Sequence, residues 1–304
     1  MRTATRSATR GAFIRAAIVA GGALLASSSA RAEPVAVAHT EGLAHGFVAL
    51  RSLEGTTLAD GDLIQTSNGN RVTTRLVFRF KDGSTREETT VYTQRKEFRL
   101  VSNHVVQKGP AFKMPMESTI DANGQVKVRY TDEDGKEKVI EERLELPADL
   151  ANGMILALAK NISPKKPATT VSMLAITPKP RLVELEFTRA EEEPFSTAGY
   201  GRKAMHYVLK VHFPGVTGTI ASLLGKTPPD SHLWILGGEA PTFVKSESAL
   251  FPDGPIWRIE LVSPVWPSGP TSSATNDSKN LQPAGRRERP SSARTAKKEP
   301  RSGK

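Results

Sequence analysis

The sequence predicts a mainly β protein built on a large, curved antiparallel sheet, a half-barrel or a barrel, with one or two short helices. Three observations predict this fold. Apolar and polar residues alternate with a period of two through most of the chain, turn sequences separate these runs, and one apolar segment has the composition of a short helix. A β-sandwich is the alternative, because two stacked sheets give the same alternation.

The alternation is clearest from Val72 to Phe80, which the turn sequence KDGS follows. The Asp-Gly pair in that turn suits the positive φ angles of hairpin turns. Residues 85–95 and 97–107 are predicted to be the next two strands. Two more turn sequences, DANG and DEDGK, separate further strands at about 126–130 and 137–146. Consecutive hairpins of this kind predict an antiparallel meander.

A helix is predicted from about Ala148 to Lys160, with Pro147 and Asp149 at its first turn. The segment is apolar on nearly every side, and a helix of that kind is buried. It is also far too short to cross a membrane.

The second half of the chain returns to strands. They are predicted at 169–176, 181–188, 203–213, 232–236, 242–245 and 256–262, with an acidic loop at 191–194 and a second short helix at 216–224. Residues 33–267 are long enough for a single domain of mainly β structure.

The N-terminus has the pattern of a secretory signal peptide, residues 1–32. Four arginines, the first at Arg2 and the last at Arg15, precede the apolar run AAIVAGGALLA. The small residues Ala30 and Ala32 then predict cleavage between Ala32 and Glu33. The expected route is Sec-type export to the periplasm, and no transmembrane segment is expected in the mature chain. With no cysteine, the chain has neither a lipid-anchor site nor a disulfide.

The net charge of +10 comes from the two ends of the chain. The first 32 residues carry five Arg and no acid, and the segment from Ser268 carries nine basic and three acidic residues. The stretch between them is therefore close to neutral, which argues against nucleic acid as a partner. Residues 268–304 are predicted to be a disordered basic tail, either simply solvated or in contact with anionic lipid or envelope polymers.

No sequence motif indicates a metal, a cofactor or a catalytic residue, and none of the three is predicted. His206 and His212 share a strand face, but six extended residues span about 20 Å, so we expect both on an exposed polar face. The acidic DEDG sequence is similar to a calcium loop but lies between strands, which favours a hairpin turn. A hydrolase site assembled from scattered Ser, His or carboxylate residues stays open, because folding alone can bring such groups together.

The aromatic residues suggest where a ligand would bind. All three Trp residues and two Phe residues fall in the last third of the predicted domain, and aromatics in curved sheets often line apolar sites. Packing in a core is the simpler interpretation of the same cluster. The predicted ligand-binding residues are Met154, Leu158, Trp234, Phe243 and Trp257.

Three segments carry a resemblance to known proteins: LPADLANGMILALAKN (146–161), GKTPPDSHLWILGGEAPTFVKSE (225–247) and FPDGPIWRIELVSPVWP (251–267). They resemble uncharacterised exported β-rich proteins of Gram-negative bacteria, a group whose resemblance implies no particular activity. The pattern of strands around an apolar helix is also similar to the half-barrels of periplasmic lipoprotein carriers, which concerns the fold rather than the function.

These observations lead to a ranked set of functions. The first is a non-catalytic periplasmic binding or envelope-maintenance protein, with an apolar, lipid-like small molecule as its ligand. The second is an envelope hydrolase whose site follows no motif. The third is an outer-membrane barrel, since strands of such barrels alternate in the same way.

Overall fold

A computed structural model describes residues 32–197, 199–213 and 228–263. Within these residues the chain forms one α-helix, α1 (Ile155–Asn161), and fourteen strands. The strands are β1 (Ala44–Arg51), β2 (Thr57–Asn68), β3 (Arg71–Phe80), β4 (Thr85–Gln94), β5 (Phe98–Lys108), β6 (Met116–Asp121), β7 (Gln125–Thr131), β8 (Glu137–Arg143), β9 (Ala168–Ala175), β10 (Arg181–Thr197), β11 (Tyr200–His212), β12 (Ser231–Leu236), β13 (Thr242–Ala249) and β14 (Ile256–Leu261). The predicted cleavage site lies at the start of the described residues. The predicted signal peptide before residue 32, the predicted helix at 216–224 and the predicted basic tail lie outside them.

All fourteen strands belong to one antiparallel sheet. Its order is β8-β7-β6-β5-β4-β3-β2-β1-β14-β13-β12-β11-β10-β9, so the meander runs outward from β1 and from β14, which pair with each other. The single curved antiparallel sheet predicted from the sequence is confirmed, and the sheet is not closed. A β-sandwich would require two sheets.

The two edge strands, β8 and β9, are consecutive in the chain, and the sheet curls so that their sides approach each other. Ile120 and Val128 on β6 and β7 pack in one apolar cluster with Leu174 of β9. Leu150, in the segment between β8 and β9, joins the same cluster and pairs with Ser172 in parallel fashion. The connecting segment therefore lies along the edge of β9.

The acidic turns form hairpins, as the sequence predicts. Asp82 Oδ1 accepts a hydrogen bond from the Ser84 N–H at 2.8 Å, and Gly83 between them has a φ of 86°. Asp132 Oδ1 accepts from the N–H groups of Asp134 at 3.1 Å and Lys136 at 2.8 Å. Each carboxylate binds its own turn, which is the usual function of Asp at such positions.

The helix is shorter than predicted, since α1 begins at Ile155 and not near Ala148. The preceding polar side chains bind the backbone of β9 instead. The Asp149 carboxylate accepts from the Ser172 N–H at 2.7 Å, and the Asn152 amide bonds both the N–H and the carbonyl of Leu174, at 2.8 and 2.9 Å. Side-chain bonds of this kind compete with helix formation.

The helix is buried, as its all-round apolar sequence predicts. Ala157, Leu158 and Ala159 are all at least 95% buried, and the helix packs in the main core together with residues of β1, β3, β11 and β12. In the part of the chain that the structure describes, no helix is long and apolar enough to cross a membrane.

The acidic stretch at 191–194 was predicted as a loop, and this prediction is wrong. Strand β10 continues through it to Thr197 and pairs with β11 from Glu184 to Thr197 on either side of a register shift. The register shifts between Arg189 and Glu192, which marks a β-bulge. The bulge lets the strand continue although its sequence loses the period-two alternation there.

The N-terminal segment, residues 34–42, lies across the end of the sheet that holds the C-terminus of α1. The Val37 N–H donates to the Lys96 carbonyl at 2.9 Å, and Asn161 Oδ1 accepts two backbone N–H bonds from the segment at 2.8 and 2.6 Å. Lys160 Nζ lies 2.6 Å from a carboxylate oxygen of Glu41, whose side chain is 6% exposed. The segment is thus tied both to the helix and to the turn before β5.

Candidate functional site

Four of the five predicted ligand-binding residues meet in the main apolar core. Met154, Leu158 and Phe243 are buried there, and Trp257 is half-buried and packs against this core. Met154 and Leu158 are each only 2% exposed. They belong to one core, and whether they touch a ligand stays a prediction.

Trp234 does not join that cluster, because it lies on the opposite face of the sheet. Its ring stacks on His206 at 4.4 Å between centroids with 5° between planes, and Lys245 Nζ lies 3.9 Å above it. His206 Nε2 is 2.9 Å from His232 Nδ1, and His206 Nδ1 is 3.0 Å from a Glu193 oxygen. Burial lowers the pKa of His206, an effect that the Glu193 charge opposes.

The expectation that both histidines are exposed is confirmed for His212 and wrong for His206. The His212 side chain is 48% exposed and faces Glu186, whereas that of His206 is only 15% exposed. His206 is covered because stacking on Trp234 removes one face of its ring from water.

An apolar recess of about 240 Å³ opens at the end of the sheet opposite the N-terminal segment. The β5–β6, β9–β10 and β13–β14 connections meet there. These connections and the adjoining ends of β5 and β6 supply an apolar part of the lining, Met114, Met116, Ile176, Pro178, Phe251 and Pro252. The polar part consists of Gln107, Lys113, Thr177 and Asp253. Thioether side chains are flexible and adapt readily to different apolar partners. We refer to this recess as the end recess.

Four aromatic rings continue from the end recess into the core. Phe251 lies 5.5 Å from Phe112 and 6.0 Å from Trp257, and Phe80 completes the group at 5.4 Å from Phe112 and 5.6 Å from Trp257. The ring pairs are tilted or edge-on, the arrangements that aromatic side chains favour. Trp257, a predicted ligand-binding residue, is thus one ring away from the recess.

Several polar side chains of β4 and β5 face the interior beside the end recess, and we call them the polar row: Arg86, Glu88, Thr90, Asn103 and Gln107. Arg86 and Gln107 are directly opposite each other on β4 and β5, and both are more than nine-tenths buried. Arg86 Nη2 lies 3.0 Å from Glu88 Oε2, and Asn103 Nδ2 donates to Glu88 Oε1 at 3.0 Å and to Thr90 Oγ1 at 2.9 Å. The Arg86 side chain is 8% exposed and that of Glu88 is 20% exposed, so both charges are largely removed from water, which is costly.

Sequence reasoning missed this row. The residues of β4 that face inward include Arg86, Glu88 and Thr90, and those that face outward are also mostly polar. The available signal was a strand in the middle of a long meander with mostly polar residues on both faces. Polar side chains on the inner face of such a strand need buried polar partners, which predicts a polar cluster inside the sheet.

A larger recess, of about 410 Å³, lies on the outer face of β3, β4 and β5, and several of its charged lining residues form cross-strand ion pairs. Arg75 binds both oxygens of Glu87, at 2.6 and 2.8 Å, and Arg79 binds Asp62 at 2.9 Å. The arginines lower the pKa of both carboxyls. We interpret this recess as a solvated face with cross-strand ion pairs.

Among the residues described, no group of three or more His, Asp and Glu has the geometry to hold a metal ion.

No protein-family model matches the sequence, and a search among curated proteins found no match. Among solved structures, the chain is similar to a β-barrel-like protein of a domain of unknown function, DUF1849, from Brucella abortus. The two share 8% sequence identity, the similarity covers 74% of this chain and 98% of that chain, and the TM-score is 0.39.

Proposed function

We propose that this chain is an exported protein of the bacterial cell envelope that binds an apolar, lipid-like ligand in the end recess without catalysing a reaction on it. The recess supports the proposal, because its lining is mainly apolar and includes Gln107, which lies directly opposite Arg86 of the interior polar row. Ligand sites combine an apolar lining with a few placed polar groups in the same way.

The size of the recess sets what it can hold. Its volume of about 240 Å³ is just below the roughly 300–1,000 Å³ of common small-molecule sites. An acyl chain would therefore enter by displacing the flexible side chains of Met114 and Met116, which lie along one wall. The aromatic group behind Phe251 supplies further apolar surface for the chain to contact.

Binding is tested with the purified full chain and the apolar fluorescent probe N-phenyl-1-naphthylamine. We expect saturable enhancement of its emission. Met114→Asp places a charge in the recess and should weaken binding about tenfold or more, since an ionised carboxylate resists transfer to an apolar site. Val139→Asp is the matched control, because Val139 is 48% exposed on edge strand β8. Absence of saturable binding, or equal weakening in both variants, would contradict the proposal.

The export part of the proposal is tested separately by fractionation of cells that express the full chain. We expect the protein in the periplasmic fraction with Glu33 as its first residue. Cytoplasmic protein that retains the apolar segment before Ala30 would contradict export.

A further inference from the structure

Three buried polar atoms close to the end recess have no partner within the protein. They are Arg86 Nε, Gln107 Oε1 and Ser118 Oγ. The three residues are 7%, 3% and 1% exposed, so water at the surface does not reach them readily. Buried polar groups nearly always have a hydrogen-bond partner, and three such atoms near one recess are therefore unusual.

The three atoms belong to neighbouring positions on one face of the sheet. Arg86 on β4 is directly opposite Gln107 on β5, and Gln107 is opposite Met116 on β6. Ser118 is two residues beyond Met116 and points to the same side. Directly opposite residues have Cβ atoms about 5 Å apart, so one hydroxyl or amide can lie between Arg86 and Gln107. Ser118 is a diagonal neighbour of Gln107, about 7–8 Å away, so a second polar atom of the same end group can reach it.

Two of the three atoms have a fixed hydrogen-bonding role. The guanidinium Nε–H of Arg86 can only donate. The Gln107 amide is oriented by its Nε2, which donates to the Met114 carbonyl at 3.0 Å, so its Oε1 can only accept. The Ser118 hydroxyl can do either. A complementary group must therefore accept from Arg86 and donate to Gln107.

The charge at this position is already balanced. Glu88 Oε2 lies 3.0 Å from Arg86 Nη2, and the second Glu88 oxygen accepts from Asn103. An ionised carboxylate or phosphate would enter beside Glu88 and could not donate to Gln107. A neutral hydroxyl or primary amide satisfies both directions without a new charge.

We infer that the polar row selects, among lipid-like molecules, those that end in a neutral hydroxyl or primary amide group, such as a monoacylglycerol. The apolar chain of the ligand lies in the end recess, and its end group bonds Arg86 and Gln107. This inference rests on the proposed function, because it assigns the polar part of a ligand that enters through the same recess.

The test compares two ligands with the same acyl chain, 1-lauroylglycerol and laurate, as displacers of N-phenyl-1-naphthylamine from the full chain. At about pH 8 laurate is ionised, since carboxyl groups titrate near pH 4. We expect 1-lauroylglycerol to bind about tenfold more tightly, the change that one hydrogen bond of ordinary net strength produces. Equal affinities would overturn the selection while leaving the proposed function intact.

Ser118→Ala removes the third buried atom without a protein partner, with little change in volume. It should weaken 1-lauroylglycerol about three- to tenfold and leave laurate unchanged. Thr169→Val is the matched control, because Thr169 Oγ1 is another buried hydroxyl without a protein partner, on the edge strand β9. No effect of Ser118→Ala would mean that buried water satisfies these atoms, and the inference would fall. Failure of the probe to bind at all would overturn the proposed function, and the inference with it.

Discussion

Gly153 lies in the turn that leads from the edge of the sheet into α1, and the turn requires a glycine there. Its φ is +69°, a left-handed value, and a Cβ built there would lie 1.9 Å from Thr90 Oγ1 and 2.6 Å from Asn103 Nδ2. Those two side chains are bonded to each other at 2.9 Å inside the sheet. Gly153→Ala therefore strains the backbone and also pushes a methyl group into a buried hydrogen bond.

The two effects can be separated by size. A left-handed φ costs a residue with a Cβ about 1–2 kcal/mol. Forcing an extra methyl into a packed interior adds about 1–3 kcal/mol. Gly153→Ala should therefore lower the free energy of unfolding by about 2–5 kcal/mol. Gly135 is the matched control: its φ is +76° and no atom lies within 4 Å of a built Cβ, so Gly135→Ala has only the backbone cost.

The assay is urea unfolding of the full-length variants, followed by circular dichroism and extrapolated to water. The difference in the free energy of unfolding between the two glycine variants measures the cost of the added methyl against Thr90 and Asn103. Thr90→Ala removes the nearest atom and should restore part of the loss when combined with Gly153→Ala. Equal losses for Gly153→Ala and Gly135→Ala would refute the placement of the helix entry against β4 and β5.

Two further predictions concern the N-terminal segment and the outer face. Glu41→Gln removes the carboxylate that faces Lys160 at 2.6 Å. It should lower the free energy of unfolding by about 1–3 kcal/mol and speed amide exchange in residues 35–42. The control Glu97→Gln, in an exposed ion pair, should lower the free energy of unfolding by less than about 1 kcal/mol. Equal effects would contradict the role of Glu41. Burial lowers the pKa of His206, so protonation of this side chain favours the unfolded chain. The contribution of neutral His206 to stability is fully present above the unfolded pKa near 6.5 and is lost as pH falls towards the folded pKa. His206→Phe keeps a ring on Trp234 and should lose less stability than the native chain when urea unfolding is compared between about pH 7 and 5; identical losses would refute this assignment.

The strands that the sequence predicted well are those whose inner positions are apolar, such as β3. Strand β2 was missed although it lies next to β3 in the sheet. Gly61 occupies one of its inner positions, and a Cβ there would lie 2.7 Å from the Phe78 ring of β3. The core at this point is filled by the neighbouring strand's ring and not by a side chain of β2. A pattern search within β2 alone cannot detect such a contact.

The candidate site was harder to predict than the fold, for two physical reasons. The run SHLWIL of β12 has apolar residues at consecutive positions, so its alternation does not tell which of them face the core. Only the pairing with β11 and β13 places Trp234 outside, beside His206 and Lys245. The buried polar row depends in the same way on partners from other strands, because Arg86 becomes tolerable inside only where Glu88 and Asn103 lie beside it.

The interior is divided into two apolar clusters, and this division favours the end recess as the entry for a ligand. The larger cluster contains α1 and Phe112, whereas the smaller joins β6, β7 and β9 and contains Met116. The recess opens where the two meet, since Met116 and Ile176 belong with the smaller cluster and Phe251 packs against the larger. The interdigitated packing within a core resists insertion of new atoms. The proposed ligand, entering at the boundary between the clusters, would avoid most of that resistance. It would also contact the polar row and apolar surface together, which is the combination that an amphipathic ligand requires.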